Sequence, residues 1–522
     1  MPRHHSTITR RHDMKPVPRN LSAFLAGALL AGTVLAAPAA AKSTVVVGVT
    51  ETISSHNPHG DSISMGYGIW CQVYGCLGVY DFRTGDYVGM LAERWEVDKE
   101  DPNIWTFHLR KGLKRHGDGK ELTAEDVVHS INRSAKDPQT RQTQNVKHIK
   151  SASAVDRHTV KIVTKEPTAP LLEFIFDRVM ITSKDLFDKH GAKTADRKYP
   201  LGWGPYKLKE IQIGQRIVLE KDPSNRWAKP ENPDVLIFNV MREPEQRVTA
   251  LLNGEIHVAQ FIPPHLGGRI EKASNTDLVP TSSVELMFLA MSPKQKPFDN
   301  RLARKAVCHA IDRDAIIKAI LKGQADRLDA PIGEGQYGYS AEAAAKMKVE
   351  YDPQKARKLL EEAGLVGAEI ALETPVGRYV NDKQVTEAMI PMLNAAGFKA
   401  SLKTPEWPTL WANVQKGKVP FYYMGRGSVV DPSPAFAQYF ETGGSPRIGF
   451  SSPEVDALLQ KERATFDPEE RKKVLNQAFA KIVEEQPACF LWKHTLLYGV
   501  AKSLDYTPTP TGRVWGVDMA VK

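Results

Sequence analysis

The stretch GRGSVVDPSPAF, Gly425 to Phe436, places one arginine and one serine on a flexible backbone just ahead of an Asp-Pro turn. A guanidinium can donate two bonds to one carboxylate, and a hydroxyl can donate or accept one. These groups suit binding, and no catalytic signature stands elsewhere: GxSxG, HExxH, P-loop, CxxC and a dinucleotide glycine fingerprint after a strand are all missing. His56 and His59 in SSHNPH have metal-ligating chemistry, but a loop of this composition ordinarily carries solvated or capping histidines, so no metal is assigned. The run HLRKGLKRHGDGK (108–120) holds five Lys/Arg and reads as a charged turn between a strand and a capped helix, not as a phosphate site.

The elements that must position such residues belong to a large chain. At 522 residues, 42% hydrophobic and 25% charged, it is globular in composition and exceeds the roughly 250–300 residues at which single cores stop growing. At least two lobes, and therefore a cleft, are expected. The first 41 residues read as an address: Arg3, Arg10, Arg11, Lys15 and Arg19 precede the apolar run Leu21 to Ala37, and Ala39-Ala40-Ala41 offers small residues for cleavage before Lys42. The apolar run is too short for a membrane anchor and is broken by Ser22, Gly27, Gly32 and Thr33. Cleavage removes five basic residues and one acid, which leaves 65 against 60, a net charge of +5. That mild excess is interspersed with acids and has no basic-aromatic block, so nucleic acid is not an expected partner.

Four cysteines, Cys71, Cys76, Cys308 and Cys489, permit disulfides in an exported protein, and Cys71 with Cys76 closes the shortest loop. Strand patterns rich in β-branched residues occur at 43–50, 158–164, 215–221, 234–240 and 285–292, followed by 368–375, 398–405 and 419–425. Helix starts are explicit: Thr123 with Asp126 predicts a capping box, and Asp352-Pro353 and Asp467-Pro468 predict capped first turns. Alternating strands and helices argue α/β lobes with mixed sheets.

Read together, several segments resemble the family 5 solute-binding proteins of ABC transporters, the group that includes dipeptide-, oligopeptide- and nickel-binding proteins. The resemblance is carried by LAERWEVDKEDPNIWTFHLRKGLKRHGDGKELTAEDVVHSINR (91–133), GWGPYKLKEIQIGQRIVLEKDP (202–223), RVTALLNGEIHVA (247–259) and FDNRLARKAVCHAIDRDAII (298–317), in the family's order. It implies a bilobal periplasmic-binding-protein fold with a discontinuous first lobe: residues 42–82, 200–284 and 497–522, with an inserted subdomain at 83–199. The second lobe would run from 285 to 496, with hinge crossings near 285 and 496. The implied function is a periplasmic, monomeric binding protein without a cofactor. It would capture a small polar or anionic organic solute or a short peptide by lobe closure and deliver it to an ABC permease. Rivals are a metal-complex or oligosaccharide binder of the same family, or an exported hydrolase on this scaffold.

Peptide-binding members have an aspartate shortly before the Asp-Pro turn that holds the ligand's ammonium. Aligning on Asp431-Pro432 puts Ser428 at that position, which removes the amine anchor. Arg378, in PVGRYV, resembles the arginine that takes the ligand carboxylate, and the same register puts Arg426 near the cleft. Two arginines without a matching acid favour an anionic or neutral polar ligand over a zwitterion. Further lining candidates are Tyr379, Trp411, Tyr423, Trp203, Ser54 and His56, while Asp431 has a competing role as turn opener.

Overall fold

The computed structural model describes residues 42–61, 63–427 and 429–522. The leader and its cleavage site, as well as Ser428, lie outside the described residues. Among the described residues no helix is long and apolar enough to cross a membrane.

Two long antiparallel strands, Thr276–Met291 and Ala488–Ala501, form the spine of an eleven-stranded mixed sheet. Beyond the first lie Phe421–Arg426, Glu369–Glu373 and Lys399–Lys403. Beyond the second come Val258–Ala259, Thr44–Val49, Val235–Val240, Arg216–Lys221 and Tyr206–Gln212. Thr44–Val49 runs parallel to Val235–Val240, whereas Phe421–Arg426 runs antiparallel to the spine. Leu286 to Met291 are all buried, as expected of a near-continuous apolar run covered on both faces.

The sequence pattern places the start of this strand at 285, yet it begins at Thr276. Its first half, TDLVPTSSV, mixes exposed polar positions with Pro280 and so lacks the apolar continuity of the second half. Between the halves the ladder is irregular: Ser282 pairs with Thr495 and Leu286 with Lys493, so four steps on one strand face two on the other. The two extra residues bulge, and a bulge redirects side chains out of the ladder. Glu285 lies in that bulge.

A second unit is the antiparallel sheet Ala92–Val97, Ile104–Leu109, Thr159–Thr164 and Ile149–Asp156, with the helix Ala124–Lys136 packed on it. The predicted capping box forms there, with the Asp126 carboxylate accepting the Thr123 N–H at 3.0 Å. Asp352 and Asp467 likewise accept the N–H groups of Lys355 and Glu470, both at 2.8 Å. This unit also touches the far half of the large sheet. The Ala169 N–H donates to the Arg463 carbonyl at 2.7 Å, and Phe466 packs 6.0 Å from Trp105. Cys71 and Cys76 are joined in a disulfide, and Cys308 and Cys489 are buried free thiols.

Candidate functional site

Side chains alternate across Phe421–Arg426, so its two faces build different surroundings. On one face, Tyr423 packs 5.9 Å from Tyr379, whose hydroxyl donates to the Gly425 carbonyl at 3.3 Å. Gly425 is needed for close approach: a Cβ there would stand 2.7 Å from the Tyr379 ring and 2.8 Å from both Glu285 Oε1 and Met287 Sδ. The Glu285 carboxylate therefore lies against the stretch that carries Arg426.

Arg378 reaches the same place from a tight loop. The Asp382 carboxylate accepts the N–H groups of Gly377, Arg378 and Tyr379 at 3.0, 2.8 and 3.0 Å, which ties the loop to the start of the helix Asp382–Ala395. The guanidinium stands 5.3 Å over the Tyr379 ring and 5.4 Å over Trp407. Nearby protein atoms displace water and oppose its charge although the residue remains exposed, and Tyr379, Glu285 and Glu51 around it hold its pKa above the ordinary arginine value. Burial pushes the Glu285 carboxyl up, and Arg378 pulls it back. Among the described residues neither side chain has an ion-pair partner in contact. The sequence reading recognised no acid to match its arginines. Glu285 is such an acid, and it corrects that reading.

Arg426 faces the other way. Its Nε is buried with no hydrogen-bond partner. Burial pulls its pKa down, and the charges of Arg178 and Arg447 push in the same direction against Tyr439 and Tyr67. Arg447 lies 4.5 Å over Trp411 and donates to the Tyr439 hydroxyl at 3.2 Å. Trp411 in turn stacks on Trp407 at 5.4 Å. From the half of the molecule that holds the N-terminal strand, Arg178 and Arg513 flank the Tyr67 ring at 5.9 and 5.6 Å. Arg178 is paired with Glu173 at 2.6 Å and Arg513 with Asp177. A small crevice of about 10 Å³, room for about one water molecule, lies beside them, lined in part by Tyr80, Tyr87, Arg178, Val430 and Arg513. Both halves of the molecule thus converge on Arg426.

Other candidates are engaged elsewhere. Asp431 receives two bonds from Arg471, at 2.6 and 2.9 Å, and accepts the Ser433 N–H at 3.0 Å, which commits it to an internal ion pair and a turn. Trp203 is 1% exposed within the core of the four-stranded unit, with its Nε1 donating to the Lys120 carbonyl. Tyr423 is fully buried in the core beneath Tyr379. The Ser54 hydroxyl donates to Asp61 at 2.5 Å, and Asp61 also accepts from Trp70. His56 is only partly covered, its pKa lowered by burial and by Arg197, while His59 is buried with Nε2 2.8 Å from the Met180 carbonyl. Among the described residues no group of three or more His, Cys, Asp and Glu could hold a metal.

Sequence reasoning missed Glu285, Arg447, Arg178, Tyr67 and Tyr439. Glu285 left one usable signal, an acid set directly before the apolar run LMFLAM. The other four are brought in by tertiary packing and carry no local pattern.

Comparisons with known proteins agree with this architecture. The dipeptide-binding protein of Escherichia coli (strain K12) is 29% identical over 480 residues, covering 84% of this chain and 87% of its own. The glutathione-binding protein GsiB of Salmonella choleraesuis is 26% identical over 494 residues, covering 92% of this chain and 95% of its own. Among solved structures, the dipeptide-binding protein of a Pseudoalteromonas species in complex with Met-Leu superposes with a TM-score of 0.80 at 21% identity, over 92% of this chain and 100% of that one, and so shares the bilobal fold. The model of the bacterial extracellular solute-binding proteins, family 5 (middle), matches residues 86–447, and the chain belongs to that family.

Proposed function

We propose that this protein is the exported solute-binding component of an ABC importer. It captures a small polar or anionic organic solute or a short peptide between two lobes and hands it to a membrane permease without altering it. The observation that carries the reading is the pair Arg426 and Arg447, neither in ion-pair contact with an acid among the described residues, at a junction that both halves of the chain enclose. A half-buried cation without a counterion is unfavourable, and an anionic group of the ligand relieves it. The named binding properties of the relatives, dipeptide and glutathione, fall within the same solute class.

The lobes are assigned as residues 42–82, 200–284 and 497–522, with an inserted subdomain at 83–199, and as residues 285–496. The hinge is assigned to the irregular segment between Ser282 and Leu286 and to the facing residues of Ala488–Ala501, where lost ladder bonds lower the resistance to bending. The mature protein starts at Lys42, in the periplasm.

Native mass spectrometry of the mature protein, purified without denaturant from its exporting host, tests capture. A ligand held with a Kd near nanomolar, about −12 kcal/mol, survives as an added mass of a few hundred daltons that is lost on unfolding. Bare protein, together with unchanged affinity for an identified ligand in both Arg378→Ala and Arg426→Ala, sinks the reading.

A further inference from the structure

A second contact joins the inserted subdomain to the second lobe, and none of its residues belongs to the candidate site. Phe466, in the turn between the helices Pro453–Arg463 and Pro468–Glu485, packs on the subdomain core with its ring 6.0 Å from Trp105. Beside it the Arg463 carbonyl accepts the Ala169 N–H at 2.7 Å. Both interactions need the two bodies together, and separation returns the ring and the N–H to water.

The charges at this contact are mostly of one sign. The Arg463 guanidinium donates to both oxygens of Glu441, at 3.2 and 2.5 Å. On the subdomain, His148 follows Lys147, and its carbonyl accepts the Lys165 N–H at 2.8 Å. The imidazole packs 4.5 Å from Phe174, and its Nε2 is buried with no hydrogen-bond partner. Burial and the cations Lys147, Arg463 and Lys165 lower its pKa to about 4. Glu441 acts on Lys147 and is held by Arg463, while Glu173, on the helix that carries Phe174, is paired with Arg178. A proton on His148 therefore adds a cation to a group already rich in them.

We infer that this contact is a pH-sensitive latch on lobe closure: Phe466 docks the second lobe on the subdomain, and protonation of His148 releases it. The inference rests on the two-lobe reading above and adds a device that sets the balance between open and closed forms. Opening withdraws Arg463 and admits water to the ring, which returns the His148 pKa toward its ordinary 6.5. The open form then takes up the proton more readily than the closed one. Closure tied to neutral His148 is complete above about pH 6.5 and is lost as pH falls toward 4, by at most about tenfold in the closed-to-open ratio per unit.

Pulsed electron paramagnetic resonance on the mature protein, purified without denaturant, tests this. Spin labels go on Ser153→Cys in the subdomain and Ala457→Cys in the second lobe, both exposed positions. The native cysteines are buried or bridged and take no label. The expected result is a short-distance population at pH 7.5 whose ratio to the long-distance one falls at least threefold by pH 5. In His148→Gln the ratio no longer responds to pH over this range. In Phe466→Ala, confirmed as folded by circular dichroism, it is at least threefold lower at pH 7.5, and Phe466→Leu recovers it. A ratio that acid leaves unchanged, one that Phe466→Ala leaves unchanged, or an acid response that survives in His148→Gln overturns the inference. The retained adduct judges capture separately, so a solute-bearing protein whose ratio ignores pH removes the latch and leaves solute capture standing.

Discussion

Arg471 grips both oxygens of Asp431, at 2.6 and 2.9 Å, and holds Glu462 with its Nε at 2.9 Å. All three side chains are buried, and the Ser433 hydroxyl closes the network onto Glu462. One cation thus serves two carboxylates directly below the stretch that carries Arg426. Arg471→Met strands both acids, and a loss of about 3–5 kcal/mol in urea unfolding is expected. Adding Asp431→Asn and Glu462→Gln should recover part of it. No recovery would mean that the carboxylate charge is not the cause.

The Asp382 carboxylate fixes the backbone of Gly377 to Tyr379. Asp382→Ala should weaken ligand binding about tenfold, although Asp382 is expected to make no ligand contact, because Arg378 loses its fixed loop. Amide hydrogen exchange at residues 377–379 should speed up in the same variant. Unchanged exchange there would separate Asp382 from the positioning of Arg378.

Arg426 is expected to serve binding at the expense of stability. Arg426→Met removes a half-buried cation whose Nε has no partner, so the unliganded protein should gain about 1 kcal/mol by calorimetry. The stabilisation by ligand should vanish. A variant that loses stability and keeps ligand stabilisation would show Arg426 to be a packing residue.

Burial holds the His59 imidazole neutral, with its pKa lowered to about 3. The unfolded chain takes up this proton near pH 6.5 and the folded chain only near 3. The stability tied to neutral His59 is therefore present at neutral pH and is lost as pH falls from 6.5 toward 3, by at most about 1.4 kcal/mol per unit. His59→Gln should flatten the acid limb of the stability curve relative to the unmodified chain. An identical limb would reject the assignment.

Cys308 and Cys489 are buried free thiols and Cys71–Cys76 is bridged. Alkylation under native conditions should label no cysteine, denaturation without reductant should label two, and reduction should add two more. Peptide mapping assigns them.

Much of the fold is legible locally. Asp-Pro starts, the Thr123 capping box and the β-branched runs are short-range preferences, and the structure honours them because they act within a few residues. The strand Thr276–Met291 is the exception, since its first nine residues lack the apolar pattern and are held by pairing with Ala488–Ala501. At the candidate site, the resemblance of PVGRYV singles out Arg378 and the register of the Asp-Pro turn singles out Arg426. Asp431 was ambiguous, because nothing near it announces Arg471, forty residues further on.

The sequence by itself determined the class of the protein, its family, and its capped helices and strands, and it named Arg378 and Arg426 as candidates, because each of these is encoded in residue type and short spacing. Tertiary structure alone decided which charges meet. It placed Glu285 beside Gly425 through a bulge, faced Arg426 with Arg178 from the opposite half, and turned Asp431 inward to Arg471. Electrostatic partnership depends on distance and burial in three dimensions, and residues remote in sequence set both.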